Sequence, residues 1–513
     1  MGLQVGQILR QAARFSAAAC AIVDLGHEAP TARRELTYGE LHRRAVCAAA
    51  QLVALGVSPG DRVALVAENS AEVAIAFFGI VYAGGAVVPL HVLSAAPELA
   101  QRLAHAQARI VLHDTARSEL VAAALAQAEL RDQGAVALPL AQLADTQELD
   151  PRYPLDTPPD AAALVLYTSG TTGRPKGAAV SHASLLLHTV LMSQHALRLD
   201  ETSRVLCVLP LSHSYGCRLA LLAPFYARAR LVVLPRFDAA RSLQALRAEA
   251  VTWLPGVPTM FAAWGQLPAA ALPDLRWALC AGAPLSDETA RRAEAVLGVE
   301  VRQGYGMTEA TFSTLNAPPD ARVLGSVGKP LWGVDLRIVD GAGREVPQGQ
   351  RGQVIVRGHN VMTQYLFDAE ATHEALPDGW VQSGDVGEFD TEGRLFIVDR
   401  IKDLVIRGGY NIYPSEIENV LGAHQAVHEV AVVGRPDDFY GEELVVFIVL
   451  RAGHSATSAE LHAFAKQRLS RTKLPREYVF LAQLPLGASG KIHKRTLRDQ
   501  LLIGQFTPEK VTV

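Results

Sequence analysis

The chain has 513 residues, 49 % apolar and 19 % charged, with 48 Lys and Arg against 52 Asp and Glu for a net charge of −4. At roughly 100–200 residues per domain this is chain for two to four domains or one large and one small, with apolar content for a sizeable core. A disordered chain, a collagen, a coiled coil and a disulfide scaffold are excluded, and so are a globally basic nucleic-acid binder and an acidic tail.

The N-terminus, MGLQVGQILRQAARFSAAACAIV, faintly mimics a signal peptide, with Arg10 and Arg14 ahead of a short apolar run. It reads better as an amphipathic helix running into a strand. Gly6 stands where an N-myristoylation signal needs Ser or Thr. Val73 to Leu93 has no formal charge and is long enough for a membrane span, but Gly84-Gly85 interrupts it and VVPL follows. Helix, glycine turn and buried strand are expected there. Cys20, Cys47, Cys207, Cys217 and Cys280 form no CxxC pair and are odd in number, which predicts buried free thiols in a reducing compartment. A cytoplasmic protein without stable membrane insertion or a nucleic-acid partner is expected.

Short β-branched runs at Arg62–Ala67, Ala163–Tyr167, Val205–Leu209, Leu231–Leu234 and Trp277–Cys280 alternate with Ala/Leu/Arg helical stretches. One such helix, Asp287–Leu297, has Ser286 as its N-cap, two acids in its first turn and Gly298 past its end. The alternation predicts an α/β architecture with largely parallel sheets. From Gly333 to Asp399 short alternating runs with Gly turns predict an antiparallel β subdomain. After Lys402 a stretch of about 110 residues has its own strands and helices. Between Lys466 and Arg498 it carries nine basic residues against one acid, Glu477. That segment is either a solvated basic face or a surface that meets phosphates.

Tyr167–Gly177 reads YTSGTTGRPKG and follows the apolar run Ala161–Leu166. Gly170 and Gly173 free backbone N–H groups to turn toward a phosphate, Thr168, Ser169, Thr171 and Thr172 add hydroxyls, and Lys176 adds charge. It is not a Walker A loop, because Pro175-Lys176-Gly177 stands where Gly-Lys-Ser/Thr is required, and Pro175 prevents a helix from starting at the loop.

This segment resembles the signature loop of the adenylate-forming superfamily, which includes acyl- and aryl-CoA ligases. Further motifs follow in that family's order. They are Gln303-Gly304-Tyr305-Gly306-Met307-Thr308-Glu309, Ser383-Gly384-Asp385, Asp399-Arg400-Ile401-Lys402-Asp403, Gly408-Gly409-Tyr410-Asn411, and Ser489-Gly490-Lys491. Leu486-Gly487-Ala488 departs from the pattern, since many members carry a basic residue and a Thr or Asn just before the last motif.

The resemblance implies an α/β N-terminal domain over residues 1–399, with two α/β sheets and a small β subdomain. It further implies a hinge at residues 400–402, centred on Lys402, and a mobile α+β C-terminal domain over residues 403–513. The implied reaction joins a carboxylic acid to AMP at the expense of ATP with Mg²⁺, then transfers the acyl group to the thiol of CoA. A carrier-protein phosphopantetheine is the alternative acceptor. The acid is fatty, branched or aromatic.

Of the implied residues, Tyr305 stacks on the purine, Thr308 donates to a phosphate, and Glu309, with Thr168, holds Mg²⁺, a hard ion that keeps few protein ligands. Gly282, Ala283 and Pro284 also face the nucleotide, Asp385 accepts the ribose hydroxyls, and Arg400 binds ribose or phosphate. Lys491 stabilises charge during adenylation, and Gly408, Gly409 and Asn411 pass the pantetheine arm. The acyl pocket is bounded by Leu211–Gly216, Trp253–Pro258, Cys280–Gly282 and the residues after Glu309. His213 gates the substrate carboxylate, and Ser214, Tyr215 and Gly216 line the pocket. Ser214 stands where amino-acid-activating members place an Asp, which disfavours an α-amino acid. Phe312 at the pocket floor favours small or medium acids. Arg218, just beyond, pairs a second carboxylate if it faces inward.

Overall fold

A computed structural model describes residues 3–27, 33–127, 130, 134–143, 145, 153, 155–168, 175–486 and 492–511. The phosphate-loop residues Ser169, Gly170, Thr171, Thr172 and Gly173, and Lys491 with the four residues before it, lie outside the described residues.

Among the described residues, two large sheets carry the N-terminal part. The first has nine strands. Six run parallel, in the spatial order Val301–Tyr305, Trp277–Ala281, Trp253–Gly256, Arg204–Cys207, Arg230–Val233 and Cys20–Asp24. Antiparallel strands flank them: Arg34–Thr37 on one side, Thr314–Leu315 and Lys329–Pro330 on the other. The second sheet has seven strands. Ala162–Thr168, Ala86–Pro89, Arg62–Val66, Ile110–His113 and Val136–Pro139 are parallel, and Lys176–Ser181 and Gln364–Tyr365 close one edge antiparallel.

The uncharged stretch from Val73 is explained by this layering. It forms the helix Ala71–Tyr82, in which every residue but Glu72 is buried. Phe77, Phe78 and Tyr82 join the main core together with side chains from both sheets. Each contributes ~1.5–3 kcal/mol by leaving water. Gly84 turns the chain and the strand Ala86–Pro89 follows, fully buried. Among the described residues no helix is long and apolar enough to cross a membrane. The N-terminal helix Gln7–Ser16 and strand Cys20–Asp24 are as expected, and all five thiols are free, four of them buried. In the helix Asp287–Leu297 the Ser286 side chain accepts from Thr289 N, and Gly298 ends it in the left-handed region.

Val334–Val339, Gly352–Gly358, Val381–Phe389 and Leu395–Arg400 form a four-stranded antiparallel sheet. After Leu404 comes a six-stranded sheet. Its centre is the hairpin Val427–Asp437 and Gly441–Leu450, with apolar clusters on both faces beneath the helices Pro414–Gly422, Ser458–Lys466 and Lys494–Leu502.

Candidate active site

Ligands in open parallel sheets bind beyond the carboxyl ends of the strands. Two neighbouring strands of the first sheet, in register at Cys280 with Gln303 and Ala281 with Gly304, end together and release the loops Gly282-Ala283-Pro284 and Gly306-Met307-Thr308-Glu309 side by side. The phosphate-loop segment is held from its ends. Thr168 and Lys176 face one another as antiparallel partners, so the loop leads into the strand Lys176–Ser181 and not into a helix.

The strongest feature is a buried acid with two donors. The Tyr305 hydroxyl donates to Asp385 Oδ2 at 2.6 Å, and Arg400 Nε donates to Asp385 Oδ1 at 2.8 Å. Asp385 is only 4 % exposed, yet a carboxylate has about four acceptor positions, so it can still receive ribose hydroxyls. Asp385 and Arg400 are cross-strand partners in the small antiparallel sheet. Burial, reinforced by Asp385, pushes the Tyr305 phenol well up, which keeps it a donor at any working pH. The Asp385 charge holds the Arg400 guanidinium up as well.

Glu309 is positioned by two bonds that sequence reasoning missed. Its Oε1 accepts from the Tyr365 hydroxyl at 2.6 Å, and its carbonyl accepts from Met362 N at 2.7 Å. Lys176 Nζ lies 5.3 Å from the centre of the same Tyr365 ring, so the end of the phosphate-loop segment and the acid converge on one tyrosine. Burial, then Glu309, raises the Tyr365 phenol. Glu309 Oε2 has no hydrogen-bond partner among the described residues, which leaves a hard oxygen for Mg²⁺. No cluster of three or more His, Cys, Asp or Glu capable of holding a metal exists among the described residues. A cation here would rest on Glu309 and phosphate oxygens, as Mg²⁺ commonly does.

The pocket segment is equally constrained. Asn69, distant in sequence, donates to Leu209 O at 2.8 Å and accepts from Leu211 N at 2.9 Å. This ends the strand at Cys207, two residues before the expected end. His213 Nδ1 accepts from Tyr215 N at 3.3 Å, which puts the proton of a neutral ring on Nε2. Ser214 Oγ donates to Thr311 Oγ1 at 3.3 Å, the Tyr215 hydroxyl donates to Leu279 O at 2.8 Å, and the Tyr215 ring meets Phe312 edge-on at 5.0 Å. A Cβ on Gly216 would lie 2.2 Å from Pro210 O, so no larger residue fits without moving the backbone. Asn360 Nδ2 donates to Thr311 O at 2.7 Å and steadies the chain just after Glu309. Arg218, in the π-helical run Tyr215–Leu222, is 3 % exposed and faces neither solvent nor an acid within ion-pair distance among the described residues.

Lys402 is exposed, in the short 3₁₀ turn Ile401–Asp403. Across it, Arg351 pairs with Glu416 at 2.7 Å and Asp399 Oδ2 accepts from Ser415 N at 2.9 Å. Gly408 and Gly409, with φ of 57° and 81°, form the tip of the hairpin Val405–Arg407 and Tyr410–Ile412, a turn that needs two left-handed residues. Asn411 is exposed beside them. The basic segment is divided: among the described residues Lys473 pairs with Glu416, Lys494 with Glu418, Arg495 with Asp499 and Arg498 with Glu442, while Lys466, Arg468 and Arg471 are exposed.

A family model described as AMP-binding enzyme matches residues 8–366, and its companion, the AMP-binding enzyme C-terminal domain, matches residues 416–491. The chain belongs to this family. Feruloyl-CoA synthase of an Amycolatopsis species is 38 % identical over 90 % of this chain and 93 % of its own length. A sulfoacetate–CoA ligase of Cupriavidus necator is 35 % identical over 91 % of this chain and 93 % of its own. Among solved structures, ATP-bound MatB from Rhodopseudomonas palustris superposes with a TM-score of 0.89 at 31 % identity, covering 98 % of this chain and 99 % of that one. The protein is an AMP-forming acid–CoA ligase of the adenylate-forming superfamily that uses ATP and CoA.

Proposed function

We propose that the enzyme activates a small or medium fatty, branched or aromatic acid in the pocket between His213 and Phe312, and that CoA, not a carrier protein, takes the acyl group. The observation that carries this reading is the convergence of Tyr305, Asp385 and Arg400 beside the paired strand ends, with Glu309 and Lys176 meeting at Tyr365. The relatives' names cover an aromatic and a sulfonated acid, so no single acid carries over.

A carboxylate is a poor electrophile. Its oxygen attacks the α-phosphorus of ATP, the new O–P bond forms as the bond to the β-phosphate oxygen breaks, and pyrophosphate leaves. Asp385 and Arg400 hold the ribose and Tyr305 the base, which fixes the α-phosphate in line. Thr308 and Lys176 donate to phosphate oxygens, with the hydroxyls of residues 168–172. Lys491 brings a cation to the oxygens on which charge develops. Bound Mg²⁺, held by Glu309 and the Thr168 region, would neutralise phosphate charge. In the second step the CoA sulfur attacks the acyl carbon and AMP leaves with the bonding pair. Residues 403–513 would turn about 400–402 between the steps and exchange Lys491 for Gly408, Gly409 and Asn411. Free thiols throughout fit a cytoplasmic site of action.

The test is Lys491→Ala, assayed separately for the two half-reactions. Acid-dependent pyrophosphate release should fall by about 100-fold or more. Thioester formation from a preformed acyl-AMP should be largely spared. Equal loss of both would overturn the two-conformation assignment.

A further inference from the structure

One turn beyond the segment assigned to the acyl pocket, the helical run Tyr215–Leu222 buries a charge that the reaction just described does not use. Arg218 is 3 % exposed, and its Nε and Nη2 are fully enclosed without a hydrogen-bond partner among the described residues. No carboxylate lies within ion-pair distance of it among the described residues; Glu309 acts on it only as a more distant charge. Burial pulls the guanidinium down to about 10, which still leaves it protonated near neutral pH. Arginine cannot shed its charge to escape such a site, and a dry fork of unmet donors is costly.

Its place in the fold says what the fork is for. Ser214 and Tyr215, at the start of the same helical run, meet Thr311 and Phe312 on the far wall of the pocket. Arg218 follows Ser214 by about one turn. Its charge also reaches His188, on the helix His182–Leu191, and burial with that charge holds the imidazole well below its usual range and so neutral. His188 Nε2 and Asn360 Oδ1 are likewise enclosed without a partner among the described residues, and His188 touches His359, next in sequence to Asn360. Two elements thus place unmet polar atoms beside one permanent cation, and a third joins His188 through His359.

We propose that the acid carries a second anionic group, an ω-carboxylate or ω-sulfonate, held by Arg218 at the end of the pocket away from the carboxylate that is adenylated. This rests on the ligase reading above and names its substrate class. A planar fork suits a carboxylate or sulfonate, whose oxygens accept two parallel bonds. Only the end near His213 reacts, so the product is a CoA thioester with a free ω-anion.

The experiment measures acid-dependent pyrophosphate release by the full-length enzyme with ATP, Mg²⁺ and CoA. Length-matched straight-chain acids of four to eight carbons are compared as monocarboxylate, ω-carboxylate and ω-sulfonate, beside hydroxy-aromatic monocarboxylates. For at least one length the ω-anionic acid should exceed its monocarboxylate in kcat/KM by about 10⁴-fold, the scale at which a site built to pair a polar group rejects an analogue that lacks it. The carboxylate and sulfonate arms say which anion the fork prefers. In Arg218→Met that ratio should collapse toward one. A purely structural arginine would lower both members of a pair by the same factor, and that result overturns the inference. So does a wild-type preference for monocarboxylates or neutral hydroxy-aromatic acids, which needs no variant and leaves the ligase reading standing. Release with no acid at all overturns both.

Discussion

Replacing Tyr305 with Phe removes one oxygen and keeps the ring, so it isolates the bond to Asp385 from any stacking by the aromatic face. That bond is 2.6 Å long, donor and acceptor are 9 % and 4 % exposed, and the acceptor is a carboxyl group also held by the Arg400 guanidinium. A hydrogen bond to a charged group contributes ~1.5–3 kcal/mol net, and here the carboxylate keeps only the Arg400 bond after the change. At an unfolding entropy of about 2.1 cal/mol/K per residue, a cooperative unit of about 400 residues loses ~2–3 °C in Tm for ~2 kcal/mol. The freed Asp385 oxygen also loses its orientation toward ribose, so KM for ATP should rise about tenfold, equivalent to ~1.4 kcal/mol. Thermal denaturation gives the first number and initial rates against ATP give the second. A fall in Tm with an unchanged KM would make the bond structural only. If neither quantity moves, the nucleotide-orienting role assigned to the Tyr305–Asp385 pair is refuted.

Tyr365→Phe takes the donor from Glu309 while leaving a ring beneath Lys176, and loss of such an outer support costs about 10–100-fold in metal affinity. The Mg²⁺ concentration for half-maximal adenylation should rise by that factor, and an unchanged Mg²⁺ titration would remove Glu309 as its holder. Gly216→Ala forces a methyl to 2.2 Å from Pro210 O, an overlap that only backbone movement relieves. Overpacking of this kind costs ~1–3 kcal/mol, so Tm should fall, and KM for the acid should rise more than KM for ATP because Ser214 and Tyr215 shift with the helix. Equal changes in both KM values would place the strain outside the acid pocket.

What was legible in the sequence was local. Ser286, Asp287, Glu288 and Gly298 mark both ends of one helix, and the structure has that helix at the expected bounds. The Gly84-Gly85 interruption separates a buried helix from a buried strand because the glycines sit at the turn itself. Hidden features depend on long-range partners. Asn69 shortens a strand whose β-branched run continues past Cys207, by offering its amide to Leu209 and Leu211. Tyr365 has no motif of its own, and only the sheet edge it forms beside Lys176–Ser181 brings it to Glu309. The basic segment after Lys466 reads as a run of like charge, yet acids on other elements pair with Lys473, Lys494 and Arg498.

Arg218 and Arg400 show why residue type alone does not assign a site. Arg400 lies within a recognisable motif and Arg218 just beyond one, and both carry a charge that composition counts equally. Arg400 is half exposed at 49 % and ion-paired at 2.8 Å, so its cost is small before any ligand arrives. Arg218 is enclosed and has no acid within ion-pair distance among the described residues, so its desolvation is offset only weakly within the protein. A fold that retains such a residue loses stability in the free enzyme and recovers it when an anion arrives, which turns an energetic penalty into selectivity between acids. The same reasoning sets the sign of Arg218→Met. The variant should be more stable than wild type in the absence of substrate, because an apolar side chain of similar length removes the buried charge. It should also lose the stabilisation that an ω-anionic acid gives the wild-type protein. If the variant proves less stable and wild-type Tm is indifferent to every ω-anionic acid, the guanidinium serves the fold and not the substrate.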